Sequence, residues 1–170
     1  MKNKNENPNG SHLLRGGLKY VDGSFAQQDG RAGVGVIARD SRGQVILTAW
    51  RVLFRCQDAD KAEAWACLEG FRLAAQWIQD PVIVESDSAR IVQAMKEKED
   101  RSAASFILLE ARDQARMLSQ WQVAKVKREC NIVANDLDNL ARRNTHSAAW
   151  LGRAPACVED TVATDCNPSV

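Results

Sequence analysis

Eight of the ten glycines lie at or before Gly43, and Pro81 is the only proline between Pro8 and Pro155. Glycine and proline are the strongest local breakers of regular structure, so this distribution assigns turns and strands to the front and mostly helix to the rest. The segment LKYVDGSF from Leu18 reads as a first strand, AGVGVIARD (Ala32 to Asp40) as a second, and VILTAWRVLF (Val45 to Phe54) as a third. SRGQ makes a tight turn between the last two, and connections this short favour an antiparallel meander.

After Phe54 the hydrophobic period becomes helical. Asp58 and Asp60 are candidate N-caps for a helix running to about Ile78. Along it Ala64, Leu68, Phe71, Ala75 and Ile78 form one apolar stripe. Cys67, Gly70, Ala74 and Trp77 form a second, with Glu63 one turn ahead of Cys67. DPVIVES (Asp80 to Ser86) reads as a short buried strand, followed by helices from Ser88 to about Glu97 and from Ala103 to about Ser119. In the second of these Phe106, Leu109 and Leu118 are expected to point inward. WQVAKVKREC (Trp121 to Cys130) reads as a strand and Asn131 to about Asn144 as a final helix. The order β-β-β-α-β-α-α-β-α predicts an α/β sheet with helices on its faces. Residues 1–16 are expected to be a disordered polar leader, 17–145 one domain, and 146–170 a partly docked C-terminal extension.

Composition narrows the function classes. A chain of 170 residues with 45% hydrophobic content buries one sizeable core and is too short for two comfortable domains. Lys and Arg total 23 against 22 Asp and Glu, a formal net charge of +1 that excludes a histone-like basic binder but not a local patch. No apolar run approaches the roughly 18 residues of a membrane span, and the first residues lack the apolar stretch of a secretory signal. The five cysteines include no CxxC pair, and with His12 and His146 the only histidines no zinc-ligand spacing can be written. Structural thiols in a reducing, intracellular setting, nucleus or cytoplasm, are expected, in a monomer. There is no G-x-S-x-G elbow, P-loop or dinucleotide fingerprint, and Gly33 and Gly35 read as close packing within a strand.

Carboxylates in unusual places remain. Asp22 interrupts the first strand, Asp87 ends V-I-V-E-S-D-S-A-R, and Glu63 sits near the start of the long helix. Each has an ordinary reading alone: an Asp-Gly turn, an N-cap, a residue answering the helix dipole. Together they differ, because neighbouring strand ends converge in α/β sheets and ligands bind at their carboxyl ends. Three converging carboxylates are costly unless cations neutralise them, and hard oxygen ligands suit Mg²⁺ or Mn²⁺. Two such ions would serve phosphodiester hydrolysis.

The chain resembles the type-1 ribonuclease H family, in the form of the reverse-transcriptase-like domains of plant genomes. The resemblance runs from about Lys19 to Asn144 and rests on VDGSF (Val21 to Phe25), AEAWACLEGFRLA (Ala62 to Ala74), VIVESDSARIVQAM (Val82 to Met95) and KRECNIVAND (Lys127 to Asp136). It implies a five-stranded mixed sheet, three antiparallel strands then two parallel, flanked by helices, and a retroelement origin. It also implies endonucleolytic, divalent-metal-dependent cleavage of the RNA strand of an RNA–DNA hybrid with two Mg²⁺ or Mn²⁺ ions. By position Asp22, Glu63 and Asp87 match the family's first three metal-binding acids. Where the family carries a fourth Asp, this chain has Asn135, an amide that can ligate but adds no charge. Asp136 is rotated from it by about 100°, and Asp138, one turn on, is a substitute ligand or, like Asp136, a solvated helix-face charge. The loop histidine of some members is also absent, since the segment reads Val126-Lys127-Arg128-Glu129. Gly23, Ser24 and Ser88 are implied near RNA 2′-hydroxyls, and Lys127 and Arg128 belong, with Arg116, Lys125, Arg142 and Arg143, to a modest phosphate-facing stretch. The alternatives are a module of the same fold that binds hybrid or RNA without cutting it, and a protein-interaction scaffold.

Overall fold

The computed structural model describes residues 17–26 as backbone, and residues 29–79, 81–97 and 101–165 with their side chains. The leader expected over residues 1–16 lies outside them. Three strands open the chain: β1 (Gly17–Ala26), β2 (Arg31–Arg39) and β3 (Val45–Leu53). Helix α1 (Ala59–Trp77) follows, then β4 (Val82–Ser86), α2 (Ala89–Lys96), α3 (Ser105–Ala115), β5 (Trp121–Lys125) and α4 (Ile132–Arg143). The tail adds β6 (Ala148–Leu151) and a short α5 (Glu159–Thr164).

The sheet order is β5-β4-β1-β2-β3-β6. β1, β2 and β3 pair antiparallel, while β4 lies parallel to β1 and β5 parallel to β4. The mixed pattern is the expected one, but the strand count is six among the described residues rather than five. The extra strand comes from the tail, where Leu151, Trp150, Ala149 and Ala148 pair with Leu47 through Trp50. Trp150 packs edge-on against Trp50 with ring centroids 4.8 Å apart, and the Trp50 indole N–H donates to the His146 carbonyl at 2.9 Å. Further along, buried Arg39 donates to the Val162 carbonyl at 3.1 Å and to the Asp165 carboxylate at 3.3 Å.

Local chemistry sets the boundaries. Gly43 adopts φ 80° and donates to the Asp40 carbonyl at 3.0 Å, closing the turn between β2 and β3 in a conformation glycine takes without strain. Asp58 caps α1 by accepting from the Lys61 N–H at 2.8 Å. β5 is shorter than expected, because after the Val126 N–H reaches the Ser86 carbonyl the chain turns into a 3₁₀ segment, Arg128–Cys130.

Two cores result. One face of the sheet packs Val34, Val36, Val82 and Val84 against Leu68, Phe71 and Ala74 of α1, with α3 beyond. The other packs Ile37, Trp50 and Val52 against Val133, Leu137 and Ala141 of α4. α3 departs from its expected orientation: Leu108, Ala111 and Ala115 are buried, whereas Phe106 is 84% exposed and Leu109 half-exposed. Small alanines let α3 approach α1 closely, which rotates the larger Phe106 and Leu109 outward. Trp77, expected on a buried stripe, is half-exposed at the end of α1.

Candidate active site at the carboxyl end of the central strands

The site begins with strand register. Val21 of β1 pairs with Ser86, the last residue of β4, so Asp22 and Asp87 are the next residues of two adjacent parallel strands. On its other side Asp22 pairs with Gly35. The side chains of Asp22 and Ser24 lie outside the described residues.

Asp87 does not cap α2. That task falls to Ser88, whose hydroxyl oxygen accepts from the Ile91 N–H at 3.4 Å, while the Ser88 N–H donates to Ser86 Oγ at 3.1 Å. The Asp87 carboxylate is left over for other chemistry. Its side chain is only 6% exposed, and Arg128 Nε stands 3.0 Å from its Oδ2. This ion pair spans 41 residues, and the sequence names Arg128 only as a phosphate contact. The signal that could have found it is the β4–β5 register, which sets Ser86 beside Lys125 and so brings the chain after β5 to the end of β4.

Glu63 stands in the second turn of α1, which packs across β1. It is partly buried, with one oxygen fully covered. Cys67, one turn on and wholly buried, has its thiol pushed up to about 12, chiefly by burial and further by the Glu63 charge, against a lowering influence from Arg112.

Helix α4 brings the remaining candidates. Its backbone lies directly on β2: a Cβ on Gly33 would stand 1.9 Å from the Asp138 carbonyl oxygen, and one on Gly35 1.9 Å from that of Ala134. The two strand glycines therefore serve the close packing expected of them, and they lay the Asn135–Asp138 turn beside the level of Asp22. Asn135 is exposed, its carbonyl accepting from Asn139 Nδ2 at 2.7 Å. Asp138 is not the solvated charge considered from the sequence: it is 1% exposed, on the sheet-facing side of α4. Asp136 accepts from Thr161 Oγ1 at 3.0 Å and so holds the tail.

Of the basic stretch, Lys125, Lys127 and Arg128 are exposed beside the site. Arg116 is paired with Asp113 at 2.5 Å, and Arg142 donates to Asn139 Oδ1 at 2.9 Å, so both are committed locally. Among the described residues no three His, Cys, Asp or Glu side chains group as a metal site, a set from which Asp22 is missing. The donors fit hard cations nonetheless. Asp87 is an almost covered carboxylate that already holds a positive guanidinium, Glu63 offers a second carboxylate, and neither nitrogen nor sulfur ligands are required. No helix of the described residues is long and apolar enough to cross a membrane.

A family described as reverse transcriptase-like matches residues 20–141. The fold is similar to that of RNase H1 from the halophilic archaeon Halobacterium salinarum, with TM-score 0.70 and 21% identity over 76% of this chain and 98% of that one. It is similar also to the N-terminal RNase H domain of a Mycobacterium tuberculosis protein, with TM-score 0.68 and 21% identity over 75% of this chain and 93% of that one. A third similar structure is LC11-RNase H1, isolated from compost and solved in complex with an RNA/DNA hybrid, with TM-score 0.67, 20% identity and coverage of 75% and 96%. No curated protein matches the chain.

Proposed function

The chain belongs to the reverse transcriptase-like family, and from that premise we propose that it hydrolyses the RNA strand of RNA–DNA hybrids with the help of divalent cations. The observation that carries the reading is the register that pairs Val21 with Ser86, so that Asp22 and Asp87 follow side by side where the parallel pairing of β1 and β4 ends. Glu63 of α1 completes the set, with Asn135 or Asp138 of α4 as the weaker fourth contributor.

Asp22, Glu63 and Asp87 would hold two Mg²⁺ or Mn²⁺ ions, which supply the charge stabilisation that attack of water on a phosphodiester requires. The protein's own share is binding and placement. Lys127 and Arg128, exposed after β5, meet backbone phosphates and make affinity fall with salt. The Gly23–Ser24 backbone and Ser88 line the place where 2′-hydroxyls distinguish an RNA strand from DNA. Ser88 keeps its hydroxyl hydrogen for donation while its oxygen accepts from Ile91. The hybrid-bound structure of LC11-RNase H1 supports nucleic acid as the partner class. A reducing, intracellular setting accords with Cys56, Cys67 and Cys157, which are free thiols.

A second reading is favoured by Asn135: the same fold holding hybrid without turning it over. A labelled hybrid incubated with purified protein and Mg²⁺ or Mn²⁺ separates the two. Cleavage that disappears in Asp22→Asn is the expected result. Binding without cleavage in either metal would replace the nuclease by the binding module, and neither binding nor cleavage at low salt would refute both.

A further inference from the structure

We propose, resting on the metal-site reading above, that Arg128 is an exchangeable counter-ion of Asp87: a positioning residue that neutralises the carboxylate before a divalent cation arrives and then moves to a nucleic-acid phosphate. The pair is strongly asymmetric. The Asp87 side chain is 6% exposed and the Arg128 side chain 89% exposed, with Nε and Oδ2 3.0 Å apart. A covered carboxylate is stabilised by a positive charge held against it at this distance. The guanidinium that supplies the charge stands almost wholly in solvent.

A divalent ion carries twice the charge of the guanidinium and competes for the same oxygens, while two cations on one carboxylate repel each other. Binding of the ion therefore expels Arg128, which stands in a 3₁₀ turn three residues after exposed Lys125 and next to exposed Lys127. Released there, it extends a short basic edge suited to phosphate, and a guanidinium matches phosphate geometry well. The exchange couples the two ligands: metal makes Arg128 available to nucleic acid, and nucleic acid that holds Arg128 favours metal on Asp87. Without the arginine the site would bind metal more tightly yet lose that coupling.

The test uses the full chain and Mn²⁺ as probe. Arg128→Gln is expected to raise Mn²⁺ affinity, measured by titration calorimetry, by about two- to fivefold, the range an ion pair with one well-exposed member accounts for. The salt dependence of hybrid binding supplies a readout that loss of a merely structural contact would not move in this pattern. With Mn²⁺ present, the slope of log K against log salt should fall by about one in Arg128→Gln, and in EDTA it should change much less. Asp87→Asn serves as the reference and should weaken Mn²⁺ binding strongly. If Asp87→Asn loses Mn²⁺ while Arg128→Gln leaves its affinity unchanged or lower, the exchange is wrong and the metal site stands. If Asp87→Asn leaves Mn²⁺ binding intact, the metal site at Asp87 is wrong and the exchange falls with it.

Discussion

Gly35 and Ala134 meet backbone to backbone: a Cβ on the glycine would stand 1.9 Å from the Ala134 carbonyl oxygen and 2.7 Å from the Asp138 N–H nitrogen. The same glycine pairs with Asp22. One small residue thus sets the separation of α4 from the central strand and the approach of the α4 side chains to the candidate site. Even alanine at 35 would have to push a helix backbone away, and backbone does not yield as a flexible side chain does. Gly35→Ala should cost about 3 kcal/mol of unfolding free energy or more, read as a lower urea midpoint with little change in slope. Gly152→Ala should cost much less, since its Cβ would meet open space and only the φ of 68° opposes it. Equal losses at the two positions would show that contact with α4 is not what constrains Gly35.

The fourth acid offers a sharper functional test. Asn135 is exposed and neutral, while Asp138, one turn on, is buried against the sheet. If the amide is what limits turnover, Asn135→Asp should raise the hybrid cleavage rate by about tenfold or more, the scale on which groups around a metal typically act. Should Asn135→Asp change nothing while Asp138→Asn abolishes cleavage of a still-folded protein, the charge comes from Asp138. Circular dichroism on both variants separates lost chemistry from lost structure.

What the sequence offers toward this site is a set of candidate acids, and the reason it offers them is spacing. Asp22 interrupts a strand pattern, Glu63 falls one turn ahead of Cys67 on a helical stripe, and Asp87 follows a short apolar run. The remainder was hidden because it depends on packing between distant segments. Nothing linear ties Arg128 to Asp87, and the charge of Asp138 argues for solvent although the period of α4 sets it on the buried stripe of Ala134, Leu137 and Ala141. Phe106 was misplaced for the opposite reason: its size argued for burial, but the alanines of α3 decided which face turned inward. The four residues of β6 carry too short a pattern to stand out, and their partner strand lies about a hundred positions earlier.

The tail strand should matter to stability in proportion to its aromatic contact. Trp150 is partly buried and meets Trp50 edge-on at 4.8 Å, while Ser147 Oγ accepts from the Val52 N–H at 2.9 Å and extends the same edge. Trp150→Ala should lower stability by about 2 kcal/mol, less than a fully buried tryptophan because its ring keeps partial solvent contact. Chemical denaturation followed by circular dichroism measures it. A change below about 0.5 kcal/mol would mean that the sheet ends energetically at β3.

Cys67 makes stability fall at high pH, and the sign follows from where its protons are held. Its thiol is raised from 9.0 to about 12 in the folded chain, first by burial and then by the Glu63 charge. Between those two values the unfolded chain has released the proton while the folded one retains it, so the folded state binds more protons and stability decreases as pH rises. The contribution is fully present below about pH 9 and is lost progressively toward pH 12, with a limiting slope of about 1.4 kcal/mol per pH unit. Cys67→Ala removes the titration and also a small buried group, so the variant should be less stable at pH 7 by roughly 1 kcal/mol. Its deficit should then shrink, and can reverse, as pH climbs from 9 to 11. Glu63→Gln should reduce the wild-type alkaline loss, because removing the neighbouring negative charge lets the folded thiol ionise more readily. Urea unfolding of the three proteins at half-unit pH steps decides the matter, and parallel curves for Cys67→Ala and wild type would show that the Cys67 thiol is not held protonated.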